Sequence, residues 1–374
     1  MQKRTLAIAC AGLILASQAA WAQNVGEGLV PTPDQSTTRV GTRGANFLEL
    51  SVGARAQGLG NSGMALVDGA EALYWNVASI AESEAFSVAW TYSMLYDDAD
   101  VTHQFGGVVF PLNDVSAIGV SFISLNSGDI LRTSESFPDG GDPQFGETFD
   151  WSAFSGQLAY ARSVTDRLSV GAAVKFVSEG ITSAKANWVG ADVGAKFRTG
   201  LIGATIGGAI TNLGGDARME GSGVQTTIAD NTDAFPTGEV VSVQYQTTAL
   251  QLPTAFRFSV MFDVTGTPEA WFPAAGPNFN LRWLVDFYDS IGTPLMPSTG
   301  LEFSYKDYFF VRAGKQWANE NNAGEFRDFW GGTGFGGGLK IPLSDRYSLG
   351  FDYAYANKDA LENTQTFSFN FGSF

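Results

Sequence analysis

Apolar and polar residues alternate along most of the chain after residue 84, and this period of two constrains the fold more than any other feature. Along the first such run, one face carries Phe86, Val88, Trp90, Tyr92, Met94 and Tyr96, and the other carries Ser87, Ala89, Thr91 and Ser93. Because successive side chains of a strand point to opposite faces, each run is expected to form a strand with one apolar face.

Charged residues in these runs lie mainly on the face opposite to the aromatic side chains. A sandwich would also alternate, but the 29 Phe, 11 Tyr and 9 Trp favour contact of the apolar faces with lipid. We therefore predict an all-β fold, a transmembrane antiparallel β-barrel with a polar lumen. The candidate lumen residues, which either select solutes or simply pair with one another and contact water, are Lys175, Asp192, Lys196, Arg257, Arg282, Asp286, Glu302 and Asp352.

The alternating runs and the turn residues between them predict about fourteen strands. Their predicted ranges are 86–96, 101–111, 115–126, 149–163, 167–179, 187–198, 202–213, 253–264, 279–289, 299–306, 308–318, 333–342, 346–357 and 365–374. The segment 239–250 is an alternative further strand. Even-numbered connections are short except 265–278, and most odd-numbered ones are long, which is typical of barrels whose short turns face the periplasm. An even strand number would place both termini there.

The N-terminal residues have the features of a secretory signal peptide. Lys3 and Arg4 precede an apolar stretch, and Ala20-Trp21-Ala22 is a small-x-small cleavage site. We therefore expect four regions and an outer-membrane, multi-pass location after cleavage near Ala22. These regions are a signal peptide at 1–22, a flexible periplasmic arm at 23–46, a plug segment with short helices at 47–82 and the barrel at 83–374.

Composition excludes several functional classes. The single cysteine, Cys10, lies in the predicted signal peptide, so the mature chain is expected to have no thiol and no cysteine metal site. A net charge of −16 argues against nucleic acid as a partner. The acidic tip formed by Asp97, Asp98 and Asp100 lacks the spacing of an EF-hand, so a solvated loop is the simpler interpretation. We expect no metal and no cofactor.

Two further motifs also favour a non-enzymatic protein. The run from Gly332 to Gly337 fits G-x-G-x-x-G, but it opens a predicted strand rather than a helix, so it does not indicate a dinucleotide site. His103 is the only histidine and shares a face with Val101, Phe105 and Val109, which predicts an interfacial position on the lipid side. A lipase would depend on His103 alone, so we predict no enzyme and no catalytic residues.

The segment between the arm and the first strand contains two motifs, GARAQGLGNSGMA at 53–65 and DGAEALYWNVASIA at 68–81. This segment resembles the N-terminal signature of the PorV/PorQ family, which is similar to the FadL-type transporters of hydrophobic molecules. Val77 and Ser79 stand where the usual family pattern has Pro and Gly. The residues that carry the resemblance are Gly53, Arg55, Gly58, Gly60, Asn61, Gly63, Asp68, Trp75 and Asn76.

The resemblance implies that this segment folds up inside the lumen as a plug. Its small residues would let the backbone approach the barrel wall closely. Charged and polar plug residues, among them Arg55 and Glu71, would either pair with lumen charges such as Asp286 or Arg282 or face lumen water.

Two functions follow from the resemblance as expectations. The first is passive transport of small hydrophobic molecules, with a plug shift that opens a side path. The alternative is a non-enzymatic role in type IX protein secretion, in which the extracellular loops 127–148 and 214–252 bind cargo or attachment machinery. The expected partners are outer-membrane lipid, a hydrophobic ligand and secretion-system proteins.

Phe374 is out of phase with Phe367, Phe369 and Phe371, and a bulge at Gly372 would account for it.

Overall fold

A computed structural model describes residues 41–96, 100–141, 148–229, 240–273, 278–317, 330–358 and 363–372. In these residues fourteen strands form one closed antiparallel barrel, in which each strand pairs with the next and β14 pairs with β1. The barrel strands are β1 (Ser87–Leu95), β2 (Val101–Asn113), β3 (Ser116–Asn126), β4 (Trp151–Ser163), β5 (Leu168–Ile181), β6 (Ala184–Arg198), β7 (Ala204–Gly214), β8 (Ala255–Thr265), β9 (Phe279–Ser290), β10 (Met296–Tyr305), β11 (Phe309–Gln316), β12 (Thr333–Pro342), β13 (Ser348–Asn357) and β14 (Asn363–Gly372). None of the helices in these ranges is long and apolar enough to cross a membrane.

The predicted barrel is confirmed, and most strand bounds lie within a few residues of the predicted ones. Two segments differ. The connection between β5 and β6 is only the turn at Thr182 and Ser183, so these strands are longer than predicted. The strand at Val240–Gln244 pairs with Gln225–Ala229 in a separate hairpin and does not enter the wall.

The wall has an apolar outer face and a largely polar inner face. Exposed outward side chains include Trp90, Phe154, Leu158, Phe176, Val189, Phe256, Phe303, Phe351 and Phe367. Inward positions of the same strands are buried and carry Ser, Thr, Gln and charged residues. An apolar band outside and polar groups inside is the arrangement of a transmembrane barrel.

The prediction for His103 is wrong. His103, Phe105 and Val109 are all buried and point inward, while Gln104 and Phe110 of the same strand point outward. The inner face of β2 is apolar because it packs against apolar residues of the lumen, including Leu73. When both faces of a strand are apolar, alternation alone does not show which face points into the lumen.

The two ends of the barrel differ. At one end, here called the turn mouth, the connections are 114–115, 164–167, 199–203, 306–308, 343–347 and the longer 266–278. At the other end, the loop mouth, the longest connections are 127–150, 215–254 and 317–332. By the usual rule for such barrels the turn mouth faces the periplasm.

Residues 45–82 lie inside the barrel and form the plug. The plug contains helices α1 (Ala54–Gly58) and α2 (Ala72–Trp75) and 3-10 turns at Asn46–Glu49, Gly69–Glu71 and Val77–Glu82. Its side chains from Phe47 to Ala81 supply much of the buried core.

The plug runs from one mouth to the other. At the loop mouth, the Gly44 amide donates to the carbonyl of Gln251 at 3.0 Å and the Ala45 amide donates to the Glu179 carboxylate at 2.6 Å. At the turn mouth, Glu82 lies 3.0 Å from the Lys196 ammonium. The described end of the predicted periplasmic arm therefore lies at the loop mouth. Residues 1–40, the acidic residues Asp97 and Asp98, and Phe374 lie outside the described residues.

Candidate functional site: the interface between plug and wall

Glycines of the wall allow the plug backbone to touch the strands. Gly300, Gly314 and Gly334 share the inward face of β10, β11 and β12, and the plug crosses them at residues 57–60. A Cβ atom on Gly314 would overlap the carbonyl group of Leu59. On the plug side, Gly60 has a φ of 66°, a left-handed conformation that favours glycine. These wall glycines were not among the predicted site residues, although they share the parity of Glu302 and Arg312.

A charge cluster joins the plug to β9, β10, β11 and β13. Glu302 is 1% exposed and accepts from Arg55 at 2.8 and 2.9 Å, from Arg312 at 2.7 Å and from Arg282 at 3.1 Å. Arg312 also pairs with Asp352. A buried carboxylate needs such partners, because an uncompensated charge inside a protein is costly. Of the two expectations for Arg55, pairing with a lumen charge or contact with lumen water, the structure shows a pair, with Glu302.

Asp68 and Glu71, the other charged residues of the two plug motifs, have weaker partners. Asp68 lies 3.8 Å from Arg55 and its side chain is 40% exposed. Glu71 is buried beside Gly53 and accepts from the Asn370 side-chain amide at 3.4 Å.

Asp286 holds the plug through backbone groups. It accepts from the amides of Gly63 and Met64, both at 3.1 Å, and from the Ser259 hydroxyl. Next to this contact, the Ser62 and Ser298 hydroxyls lie 3.0 Å apart. Asn61, whose φ is 65°, donates to the side-chain oxygen of Gln316 at 2.8 Å. Sequence alone did not pair the serines, because their contact depends on how the plug lies in the lumen.

The remaining motif residues fix the C-terminal half of the plug. Asn76 accepts from the Ala78 amide at 3.1 Å, which caps the turn at Val77–Glu82, and donates to the carbonyl of Ala195 at 2.9 Å. The Trp75 indole donates to the carbonyl of Val52 at 2.9 Å, so it connects the two halves of the plug. In the N-terminal half of the plug, Gly58 contacts the backbone of Gly336 in β12.

Lys175 and Asp192 form a buried pair within the wall. Their charged atoms lie 2.7 Å apart, and Lys175 also donates to the Asn212 side chain at 2.8 Å. Asn212 lies at a bulge in β7, where its φ is 59° and its backbone N–H donates to the Asp192 carboxylate at 2.7 Å. Lys175 and Asp192 are thus two lumen candidates that pair with each other, whereas Lys196 pairs with Glu82 of the plug and Arg257 pairs with no carboxylate among the described residues.

The lumen has two chemically different regions. Near the loop mouth, buried apolar side chains dominate, including Phe47, Leu48, Leu95, Phe105, Leu125, Val177, Trp188 and Leu252. Toward the turn mouth, between plug and wall, a cavity of about 200 Å³ is lined by charged groups that include Arg55, Glu71, Arg282, Arg312 and Asp352.

The outer wall contains an apolar recess of about 720 Å³. Its rim consists of the outward side chains Trp90, Phe122, Phe154, Phe176 and Val189. Gly106 and Gly156, which lack side chains, lie within it, and its lining reaches the inward-facing residues Gln157 and Lys175. The ladders between β2, β3 and β4 are continuous here, so the wall is closed at the recess.

No protein-family model matches the chain, and no curated protein sequence matches it. Among solved structures, the Ralstonia pickettii toluene transporter TbuX is similar, with a TM-score of 0.53 and 12% identity over 86% of this chain and 97% of that one. The monoaromatic hydrocarbon channel CymD has a TM-score of 0.52 and 12% identity, over 87% of this chain and 98% of that one. The Pseudomonas putida toluene transporter TodX has a TM-score of 0.51 and 10% identity, over 90% of this chain and 98% of that one. At these identities the likeness shows the fold alone.

Proposed function

We propose that the chain is an outer-membrane barrel for passive transport of small hydrophobic molecules, which enter the apolar region near the loop mouth and leave sideways through the wall. The proposal draws support from the fold, which is also that of barrels described as toluene transporters. The PorV/PorQ resemblance of the plug motif is a finer part of the same proposal.

A straight axial path does not suit a hydrophobic molecule. The side of the lumen toward the turn mouth is filled by the plug and by the cluster around Glu302, in which Arg55, Arg282 and Arg312 converge. An apolar solute that replaced these contacts would leave buried charges unpaired, which costs several kcal/mol per group, on the order of 3–5. A molecule that binds near the loop mouth therefore needs another exit.

The recess around Gly156 is the observation that carries the proposal. The recess opens to the lipid-facing surface, and Gln157 and Lys175, whose side chains are buried on the lumen side, contribute to its lining, so a single layer of strands separates it from the lumen. Because the strands remain hydrogen-bonded, the exit is closed in this conformation. A shift of the plug residues that touch the same stretch, such as Leu73 below Gly107 and Gly119, would loosen it.

Filling the recess tests this path. We expect Gly156→Trp to slow uptake of octan-1-ol by intact cells several-fold relative to the wild-type barrel, because the indole would occupy the recess. The matched control is Gly208→Trp, since Gly208 also faces outward from a strand and has open space around it. If cells without the barrel took up octan-1-ol as fast as cells with it, the proposed function would be wrong. Equal slowing by both variants would exclude this exit.

The type IX secretion role is the second candidate. Apolar side chains are exposed in the connections of the loop mouth, among them Leu131, Phe137 and Tyr245, and could contact a protein partner. This role rests on the resemblance and on these side chains. A barrel that co-purifies with cargo or attachment proteins but carries no hydrophobic ligand in native mass spectrometry would favour it over transport.

A further inference from the structure

His103 is a fully buried polar side chain on the inner face of the wall, and it takes no part in the contacts that hold the plug. Its imidazole is 0% exposed, and neither Nδ1 nor Nε2 has a hydrogen-bond partner among the residues that the structure describes. An unpaired donor or acceptor inside a protein is costly, and most buried polar groups do have partners. The two nitrogens therefore indicate a role beyond packing.

The surroundings of His103 are apolar and uncharged. The next inward residue of β2 is Phe105, which is 1% exposed, and the partner of His103 in the ladder to β3 is Leu125, which is 2% exposed. Both belong to the apolar region of the lumen near the loop mouth. Such surroundings favour the neutral imidazole, because a charge without a partner is costly there.

The polar side chains beside His103 bond to one another and not to the imidazole. Ser93 lies opposite His103 in the ladder between β1 and β2. The hydroxyls of Ser93 and Thr366 lie 2.9 Å apart, and the Thr366 hydroxyl lies 2.8 Å from the side-chain oxygen of Gln57 in the plug. These three side chains satisfy one another, so the nitrogens of His103 remain unused by their polar neighbours.

We infer that His103 binds the hydroxyl group of an uncharged hydrophobic ligand, such as an aliphatic alcohol or a phenol, in the apolar region near the loop mouth. A neutral imidazole has one N–H donor and one acceptor nitrogen, and a hydroxyl can bond to either, since it both donates and accepts. A hydrocarbon can bond to neither, and a charged head group would bring an unpaired charge into uncharged surroundings. The inference rests on the proposed function and narrows its ligand from hydrophobic molecules in general to hydroxylated ones.

The site is closed in this conformation, because the imidazole is completely covered. A ligand that enters from the loop mouth reaches His103 only after the apolar side chains around it move aside. The hydrocarbon part of the ligand then replaces the contacts that these side chains give up, and the hydrogen bond to the imidazole is gained in addition. His103 thus adds affinity only for a ligand that carries a hydroxyl group.

The imidazole can be observed by itself, because His103 is the only histidine of the chain. In a barrel that carries no histidine tag, is labelled with nitrogen-15 histidine and lies in lipid bilayers, we expect octan-1-ol to shift a ring nitrogen resonance in solid-state NMR. Nonane has a methyl group in place of the hydroxyl and should shift neither resonance. The inference is wrong if bound octan-1-ol leaves both resonances in place, or if nonane causes the same shift.

A substitution separates the hydroxyl from the hydrocarbon tail. We expect His103→Leu to weaken the binding of octan-1-ol about fivefold, as the loss of one hydrogen bond implies, and to leave nonane binding at least as tight. Both ligands also dissolve in lipid, so each variant is compared with the wild-type barrel in the same nanodiscs. The matched control is Gln104→Leu, since Gln104 is the next residue of β2 and points outward, and it should change neither affinity.

The possible outcomes distinguish the inference from the proposed function. Equal weakening of both ligands by His103→Leu, or no weakening of octan-1-ol, would contradict the role of His103. The NMR measurement uses the wild-type chain, so it decides the question even if His103→Leu does not fold. A wild-type barrel that binds neither octan-1-ol nor nonane would instead contradict the proposed function itself.

Discussion

Individual side chains divide into those that alternation placed correctly and those that it did not. The parity of Glu302, Asp286 and Lys175 predicted that they point into the lumen, and they do. Which residues they contact depends on the path of the plug, which no local pattern encodes. His103 was misplaced because both faces of its strand are apolar, and Arg257 was expected to have a charged partner that the structure does not supply.

The substitution Gly314→Ala tests how closely the plug backbone packs against the wall. A Cβ atom in Gly314→Ala would meet the backbone of Leu59, which cannot swing away as a flexible side chain could. We expect a loss of about 1–3 kcal/mol in the free energy of unfolding, as for overpacked cores, measured by urea unfolding in lipid.

The matched substitution is Gly208→Ala, in a strand position with no atom within 4 Å of the added methyl group. It should leave the unfolding free energy unchanged or slightly higher, since alanine suits a strand better than glycine. Equal effects of the two substitutions would show that the plug does not press on β11.

Strands and plug were predictable to different degrees. The fourteen strands follow from period two and from turns rich in Asp, Ser and Pro, and both signals are local. The presence of the plug followed only from the motif at 53–81 and its resemblance. Its detailed path did not, because short helices such as α1 and α2 are held by contacts with the wall rather than by their own sequence.

A disulfide across the interface tests whether the plug has to move. The hydroxyls of Ser62 and Ser298 are 3.0 Å apart, and the only native cysteine is Cys10. When Ser62→Cys and Ser298→Cys are combined and oxidised, we expect octan-1-ol uptake to fall several-fold, because the plug is then tied to β10. Reduction should restore it.

The control pair is Ser163→Cys with Ser169→Cys, whose hydroxyls are also 3.0 Å apart but lie on paired wall strands. That disulfide should leave uptake unchanged. Uptake that persists in the oxidised plug-to-wall variant would mean that molecules pass without plug movement.

The whole molecule is asymmetric along the barrel axis. The plug begins beside Gln251 at the loop mouth and ends beside Lys196 at the turn mouth. The arm was expected in the periplasm, but its described end lies at the loop mouth. Alternation predicts where the strands lie and not the path of the chain before the first strand.

Surface labelling tests this orientation. Thr42 is exposed at the loop mouth, so Thr42→Cys should react with a membrane-impermeant maleimide on intact cells. Asp345→Cys, in a turn at the opposite end, should react only after the outer membrane is opened. The reverse pattern would invert the proposed orientation of the barrel.

The barrel is closed by the pairing of β1 with β14, and it encloses the plug, which runs from the loop mouth to the turn mouth. We expect the plug to dock while β1 and β14 are still unpaired, because a segment that contacts the wall along the lumen would otherwise have to pass lengthwise through the closed barrel.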